Sequence, residues 1–277
     1  EQPGWHSPWG IGRPGWHIEC SAMIKKHLGE TIDIHGGGSD LTFPHHENEA
    51  AQSRCANESK EYVRYWLHNG MLNLGSEKMS KSLGNVKTIR DLSKRHSGEV
   101  LRYALLSGQY RSQLTWSEDL VQQAKSSLDS LYQALRDKPG SEKKNPESPL
   151  KMKIEELPET VINPLLDDLN SPIALASMHE LATTLQKATS KSEIQTAKTA
   201  LLAGGWILGL LNQDPEQYFK DGRVGLLSEA EIDTLIIERS DSRKNKNFNR
   251  ADEIRDILSN QGIELEDLRG ETRWRRN

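Results

Sequence analysis

The spacing of apolar residues changes period along this chain, and that change constrains its fold more than any other feature. Between Gly10 and Leu74, short apolar segments alternate with glycine turns and amphipathic stretches, the rhythm of strand and helix units. Trp16 to Ile18 reads as a short strand, and apolar positions 20, 23, 24 and 28 predict a helix over Cys20 to Leu28 that stops at Gly29. Thr31 to Ile34 reads as a second strand, emptying into a loop of Gly36-Gly37-Gly38-Ser39-Asp40. Pro44 suits the first turn of a helix reaching about Ala56. Trp66 to Leu74, with Asn69-Gly70 inside it, reads as a strand or hairpin. This succession is α/β.

After Lys81 the period lengthens to three and four residues. Leu120, Ala124, Leu128, Leu131 and Leu135 follow Ser117 as one long amphipathic helix. Lys138 to Ser148 lacks an apolar face and reads as a linker. Ser171-Pro172 opens another helix with a cap and a first-turn proline, and Ala200 to Leu211 is a buried helix, so residues 150 to 213 read as a bundle. Ser228 and Glu231 form a capping box ahead of Ile232, Leu235 and Ile236. A last helix carries Ala251, Ile254, Ile257 and Leu258, stops at Gly262 and precedes a strand at Ile263 to Leu265. The tail from 225 to 277 is therefore a small α+β unit.

Composition narrows the classes. At 277 residues the prior is about two domains, and 35% hydrophobic with 27% charged residues excludes disorder throughout. The longest nearly unbroken apolar run, Ala200 to Leu211, has 12 residues and three glycines, short of the ~20 that a membrane helix needs. No membrane association is expected. Two cysteines make no disulfide framework and fit a reducing compartment. With no leader after Glu1, the cytoplasm is the expected location. An opening of Glu1-Gln2-Pro3-Gly4-Trp5, without an initiator Met and without a helix or strand start, looks cut from the middle of a longer chain. With 36 basic against 40 acidic residues, any nucleic-acid binding must rest on local patches.

Two constellations carry chemistry. In Lys78-Met79-Ser80-Lys81-Ser82, followed by Leu83-Gly84-Asn85, two lysines on a loop can bring two ammonium groups onto a triphosphate as pyrophosphate leaves. An arbitrary pair of lysines at this spacing is usually a solvated turn. The whole stretch from Glu77 to Asn85 nevertheless resembles the KMSKS signature of class I aminoacyl-tRNA synthetases. The second constellation is Cys20, His45 and Glu49. His45 and Glu49 lie four apart on the predicted helix and so share a face, and Cys20 at a strand end could add a thiolate, a donor set that suits zinc. Spacing alone equally fits a buried cysteine beside a surface His-Glu pair. Cys55, about 240° around the helix from Glu49 at ~100° per residue, is assigned to packing.

The words around these residues closely resemble the cysteinyl-tRNA synthetase family: Gly12-Arg13-Pro14-Gly15-Trp16-His17-Ile18-Glu19-Cys20, Gly36-Gly37-Gly38-Ser39-Asp40-Leu41 and Phe43-Pro44-His45-His46-Glu47-Asn48-Glu49. The resemblance implies a Zn2+ ion held by Cys20, His45 and Glu49, which recognises the thiol of cysteine. It implies Trp16 against the substrate, Gly38 and Asp40 near ATP, Lys81 and Lys78 on its phosphates with Mg2+, and His17 and His46 hydrogen-bonded around the ligands. The family's fourth ligand, a cysteine, and its HIGH motif have no counterpart here. Both would belong to an N-terminal half, leaving this chain alone inactive.

Further along, Asp167-Asp168-Leu169-Asn170-Ser171-Pro172-Ile173-Ala174 resembles the family's helical anticodon-arm segment. Ala251 to Asp256, Gly262 to Asp267 and Thr272-Arg273-Trp274 resemble its C-terminal anticodon module. There Arg239, Arg243, Lys244, Lys246 and Arg250 precede one helix, and Arg273, Arg275 and Arg276 bracket Trp274. Cations for phosphates and an aromatic for an unpaired base suit a single-stranded RNA loop, although a basic tail is commonly just solvated. The expected architecture is thus α/β followed by mostly α. Residues 1–86 form the second half of a Rossmann-like catalytic domain, 87–137 a helical stem-contact region, 138–224 a linker and helical bundle, and 225–277 the anticodon module. The implied partners are tRNA(Cys), cysteine and ATP, with a monomer favoured. Two other readings fit parts of the chain: a non-catalytic tRNA- or zinc-binding module, and a ligase joining cysteine to an amino sugar in mycothiol synthesis, which lacks the anticodon tail.

Overall fold

Glycines set the first elements. The computed structural model describes residues 3–57, 61–74, 77–78 (backbone only), 88–138, 153, 156–221, 227–268 and 272–276. Strands β1 (Trp5–Ser7) and β2 (Gly10–Gly12) pair antiparallel, so a strand begins where the sequence shows no strand start. The Ser7 hydroxyl closes their turn, donating to the Gly10 carbonyl at 2.7 Å and accepting from the Trp9 N–H at 3.2 Å. Gly15, extended at φ −67° and ψ 153°, then caps helix α1 (Trp16–Leu28), its carbonyl accepting from the Ile18 and Glu19 N–H groups. The strand expected over Trp16 to Ile18 is therefore the first turn of α1. Trp16 and Cys20 continue the helical spacing backwards past the point where a strand was read.

The chain folds into two units, one comprising 1–86 with 105–118 and the other 87–104 with 119–277. In the first, β3 (Ile32–Gly38) and β4 (Val63–Asn69) run parallel, in register from Ile32 opposite Val63 to Gly38 opposite Asn69. Gly36 to Gly38 thus belong to a strand and not to the expected loop, because the ladder with β4 satisfies their backbone groups. A 3-10 turn over Ser39–Leu41 and a wide turn over Thr42–His46 follow, the latter with Phe43 extended at φ −136°. Helix α2 (Glu47–Asn57) starts only after it, so Pro44 lies ahead of the helix and not in its first turn. Ile32, Ala50, Tyr62 and Val63 form the core, with Ile24 and Trp66 packed against it. Cys55 is exposed on α2, which corrects its assignment to packing.

The segment from Trp66 to Leu74 is not a hairpin. Strand β5 (Leu72–Leu74) leaves the first sheet and pairs with β6 (Glu77–Lys78) and, in parallel, with β7 (Leu114–Trp116). Gly70 makes the bend: its N–H donates to the Tyr110 carbonyl at 2.7 Å. A Cβ there would overlap the Ser112 carbonyl oxygen.

The second unit is mainly helical: α3 (Ile89–Leu92), α4 (Gly98–Leu106, its last two residues in the first unit), α5 (Glu118–Asp137), α6 (Glu159–Leu166), α7 (Ser171–Lys187), α8 (Lys191–Leu208) and α9 (Pro215–Lys220). Ala124, Leu128, Leu131 and Leu135 form the buried stripe of α5 as their period predicts, but Val121 and not Leu120 completes it at the N-terminal end. The cap of α7 is Asn170, not Ser171; its side chain reaches the Ile173 N–H while Ser171 is already helical. α8 ends at Gly209, whose φ of 69° suits glycine. Of the Lys138 to Ser148 linker, residues from 139 on lie outside the described residues. The tail adds α10 (Glu229–Lys244), which carries the expected Ser228 and Glu231 capping box, then α11 (Phe248–Asn260) and the antiparallel pair β8 (Ile263–Asp267) and β9 (Thr272–Arg276). The buried Arg136 ties the tail to the helices, pairing with Glu216 at 2.9 Å and Glu266 at 3.0 Å and donating to the Trp274 carbonyl at 3.3 Å. Among the described residues no helix is long and apolar enough to cross a membrane.

Gly70→Ala tests the bend. Forced overpacking against backbone costs about 1–3 kcal/mol. Urea unfolding should show a loss in that range, whereas Gly12→Ala, where a Cβ meets nothing within 4 Å, should leave the midpoint unchanged.

Candidate functional site

Three elements deliver one cluster. Trp16 and Cys20 sit one turn apart on α1, His45 projects from the wide turn before α2, and Glu49 lies in the first turn of α2. The ligating atoms of Cys20, His45 and Glu49 all lie within 4.8 Å of one another. Cys20 therefore comes from a helix and not from the strand end that the sequence indicated. The Trp16 ring, 60% exposed, covers the His45 ring with centroids 4.2 Å apart. Ser21 ties α1 to α2, donating to Gln52 Oε1 at 3.3 Å.

Glu49 has no exposed surface and His45 only 5%. His45 Nε2 stands 2.5 Å from Glu49 Oε1, yet Glu49 Oε1 and His45 Nδ1 each have no hydrogen-bond partner. Buried polar atoms normally find partners, so two orphans in one cluster are the signature of a site. Burial and the Glu49 carboxylate push the Cys20 thiol up. Burial, reinforced by His35, His68 and His45, pulls His46 down to about 4, and burial likewise lowers His35. Both shifts favour the neutral imidazole.

Sequence reasoning missed the far wall of this site. His35 on β3 places Nε2 3.4 Å from Glu49 Oε2, and the Tyr62 hydroxyl donates to the same oxygen at 3.3 Å. Trp66 on β4 lies against the rings of His35 and His46 at 4.9 and 5.2 Å. His46 bonds His68 through Nδ1 at 2.8 Å, and His17 meets the His45 ring edge-on at 6.3 Å. Gly37 leaves room for the His46 ring, since a Cβ would lie 2.8 Å from its Cε1. Alternation from the buried Ile32 and Val63 points to Ile34 and Tyr65, which are exposed, so no short-range pattern marks His35 or Trp66. Gly38 closes β3, and the exposed Asp40 folds its carboxylate back over it. Lys78 ends β6, while Lys81 and the rest of its loop through Asn85 lie outside the described residues.

In the tail the structure redistributes the expected roles. Trp274 is 3% exposed in the core with Ile232, Ile254, Leu258 and Ile263, and its indole N–H donates to Asp233 at 3.0 Å. It cannot stack a base without unfolding that core. Arg250 is held by Glu238 at 2.8 Å and Glu253 at 3.0 Å, and Arg273 lies 3.7 Å from Glu216. Arg239 grips Asp267 through two bonds of 2.8 Å, and Arg275 reaches Glu264 at 2.5 Å. The exposed aromatic is Phe248, 59% accessible at the start of α11 beside Lys246. Lys246 itself turns the chain at φ 57°.

Against known proteins, residues 1–126 match the family described as tRNA synthetases class I (C) catalytic domain, and residues 160–212 match the DALR domain. The chain is 52% identical over 281 residues to a cysteine–tRNA ligase of Saccharophagus degradans, covering 100% of this chain and 59% of that protein. It is 52% identical to that of Paramagnetospirillum magneticum, over 99% of this chain and 58% of the relative. Its first 126 residues thus match a class I tRNA synthetase catalytic domain. Over its whole length the chain is similar to cysteine–tRNA ligases, and it spans about three-fifths of the length of these relatives.

Two outcomes test the redistribution. Trp274→Ala should destabilise the tail by about 3–5 kcal/mol, the usual cost of emptying an aromatic core position, whereas Phe248→Ala should leave urea unfolding nearly unchanged. The Arg239 hydrogen bonds hold the Asp267 carboxyl well below the usual carboxylate range. A depressed carboxyl stabilises the fold above its unfolded value of about 3.9 and loses that contribution as pH falls toward its folded value. Asp267→Asn should therefore lower stability at pH 7, and the gap to wild type should narrow progressively below about pH 4.

Proposed function

We propose that this chain works as part of a cysteine–tRNA ligase. Cysteine's carboxylate attacks the α-phosphorus of ATP, forming cysteinyl-adenylate and releasing pyrophosphate. A hydroxyl of the 3′-terminal adenosine of tRNA(Cys) then takes the cysteinyl group and releases AMP. The observation that carries the reading is the buried Cys20, His45 and Glu49 cluster with its orphaned acceptor and imidazole nitrogen. A thiol, an imidazole and a carboxylate oxygen without a hydrogen-bond partner, brought within 4.8 Å of one another, fit Zn2+. The ion would supply a soft Lewis acid for the substrate thiolate. Softness separates a thiolate from a serine hydroxyl better than the roughly 1–3 kcal/mol available from shape.

The chain's own groups do the remaining work. Trp16, lying over His45, walls the pocket against cysteine and keeps water away. Gly38 permits close approach of ATP and Asp40 receives a hydroxyl or amine of the nucleotide. Lys81, helped by Lys78 and by Mg2+ on the phosphates, stabilises the negative charge that builds on the departing pyrophosphate. The DALR segment and the tail engage tRNA, with Lys246 on a phosphate and Phe248 taking the stacking role once expected of Trp274. Residues 1–86 supply catalysis, 87–137 the acceptor-stem contact, and 138–277 the anticodon arm. The enzyme acts as a cytoplasmic monomer.

In the protein at its full natural length, Lys81→Ala should depress cysteine-dependent ATP–pyrophosphate exchange by at least 100-fold while leaving cysteine affinity within about twofold, as expected of an interaction made in the transition state. Equal losses in both would remove its assigned role. Cys20→Ser should lower bound zinc and cysteine-over-serine selectivity together. Phe248→Ala should weaken tRNA(Cys) binding by about 5–150-fold, from the roughly 1–3 kcal/mol that a stacked base contributes.

A further inference from the structure

The two oxygens of Glu49 have different surroundings. Oε2 accepts the Tyr62 hydroxyl at 3.3 Å and lies 3.4 Å from His35 Nε2. Oε1 accepts nothing and faces the side of His45 and Cys20. A carboxylate with no exposed surface needs partners: Tyr62 and His35 gather on Oε2, whereas Oε1 is approached by the candidate ligands, with His45 Nε2 2.5 Å away. Tyr62, 1% exposed at the entrance to β4, is fixed in turn by Ser53, which lies one turn beyond Glu49 on α2. Ser53 hydrogen-bonds the phenol as well, and the tyrosine's own proton goes to Glu49.

Resting on the zinc reading above, we infer that Tyr62, held by Ser53, is a positioning residue that clamps one oxygen of Glu49 so that the other alone is presented to the metal. Without the clamp the carboxylate can rotate about its last bond, offering either oxygen or both. A clamp fixes single-oxygen ligation and lowers the ordering cost of binding. A tyrosine that merely satisfied a buried acid would affect the fold and leave the metal's affinity and ligand field alone.

The test uses the protein at its full natural length, titrated with Zn2+ against a chromophoric chelator and, separately, with Co2+ followed by absorption. Wild type should bind one Zn2+, with Cys20→Ser losing the thiolate-to-cobalt charge-transfer band. Tyr62→Phe should weaken Zn2+ about 10-fold, the lower end for loss of a group supporting a ligand. It should also shift the cobalt ligand-field bands while the thiolate band persists. Ser53→Ala should move both readouts in the same direction by less, and it decides the matter if Tyr62→Phe does not fold. Unchanged affinity and spectrum in the folded variants would overturn the positioning role while leaving the zinc site standing. A wild-type chain that binds no Zn2+ would overturn the zinc reading and this inference together. A second bound equivalent lost on His35→Ala would overturn the clamp, because Oε2 would then be a ligand itself.

Discussion

Taking the carboxylate of Glu49 out of water is the constraint around which the first unit is organised. An acid with no exposed surface costs several kcal/mol unless donors or a cation compensate it. Each neighbouring element sends one group toward it: α1 brings Cys20, the wide turn before α2 brings His45, β3 brings His35, and the lead into β4 brings Tyr62. The apolar core beside it is small, centred on Ile32, Ala50, Tyr62 and Val63. Tyr62 belongs to both, its ring in the core and its hydroxyl on the acid. Packing and site geometry are thus set by one side chain.

The second unit meets the same physics with the opposite outcome. Arg136 is as deeply buried as Glu49, yet its guanidinium is met by Glu216, Glu266 and the Trp274 carbonyl, with the Phe219 ring 4.9 Å away. A buried charge that is fully paired rigidifies its surroundings and has no capacity left for a ligand. A buried charge with one face unpaired keeps that capacity. The contrast distinguishes a joint from a site without reference to similarity.

Much of this was legible in the sequence, and the failures share a cause. The stripe of α5 from Ala124 to Leu135 and the box at Ser228 and Glu231 are local patterns, decided within a few residues, and they appear as read. Gly36 to Gly38 read as a loop because glycines have no strand propensity, but the ladder to β4, some 30 residues away, decides. Trp16 to Ile18 read as a strand because the helical spacing was counted from Cys20, when Gly15 starts the helix four residues sooner. Cys20, His45 and Glu49 were named from chemistry and motif. His35 and Tyr62 were not, since nothing short-range links them to Glu49.

Trp274 shows how composition misleads when burial is unknown. An aromatic flanked by arginines looks like a base-stacking platform, but in a five-residue strand the alternate side chains point to opposite faces. Trp274 turns inward to close the tail's core, and the flanking arginines turn to acids on β8 and beyond. In a module this small the one large aromatic of the terminal strand is needed for the core, because few other residues can fill it. The exposed aromatic must then come from an element end, where a side chain can project without disturbing packing. Phe248, first in α11 after the left-handed Lys246, is such a residue, exposed at the α10–α11 turn.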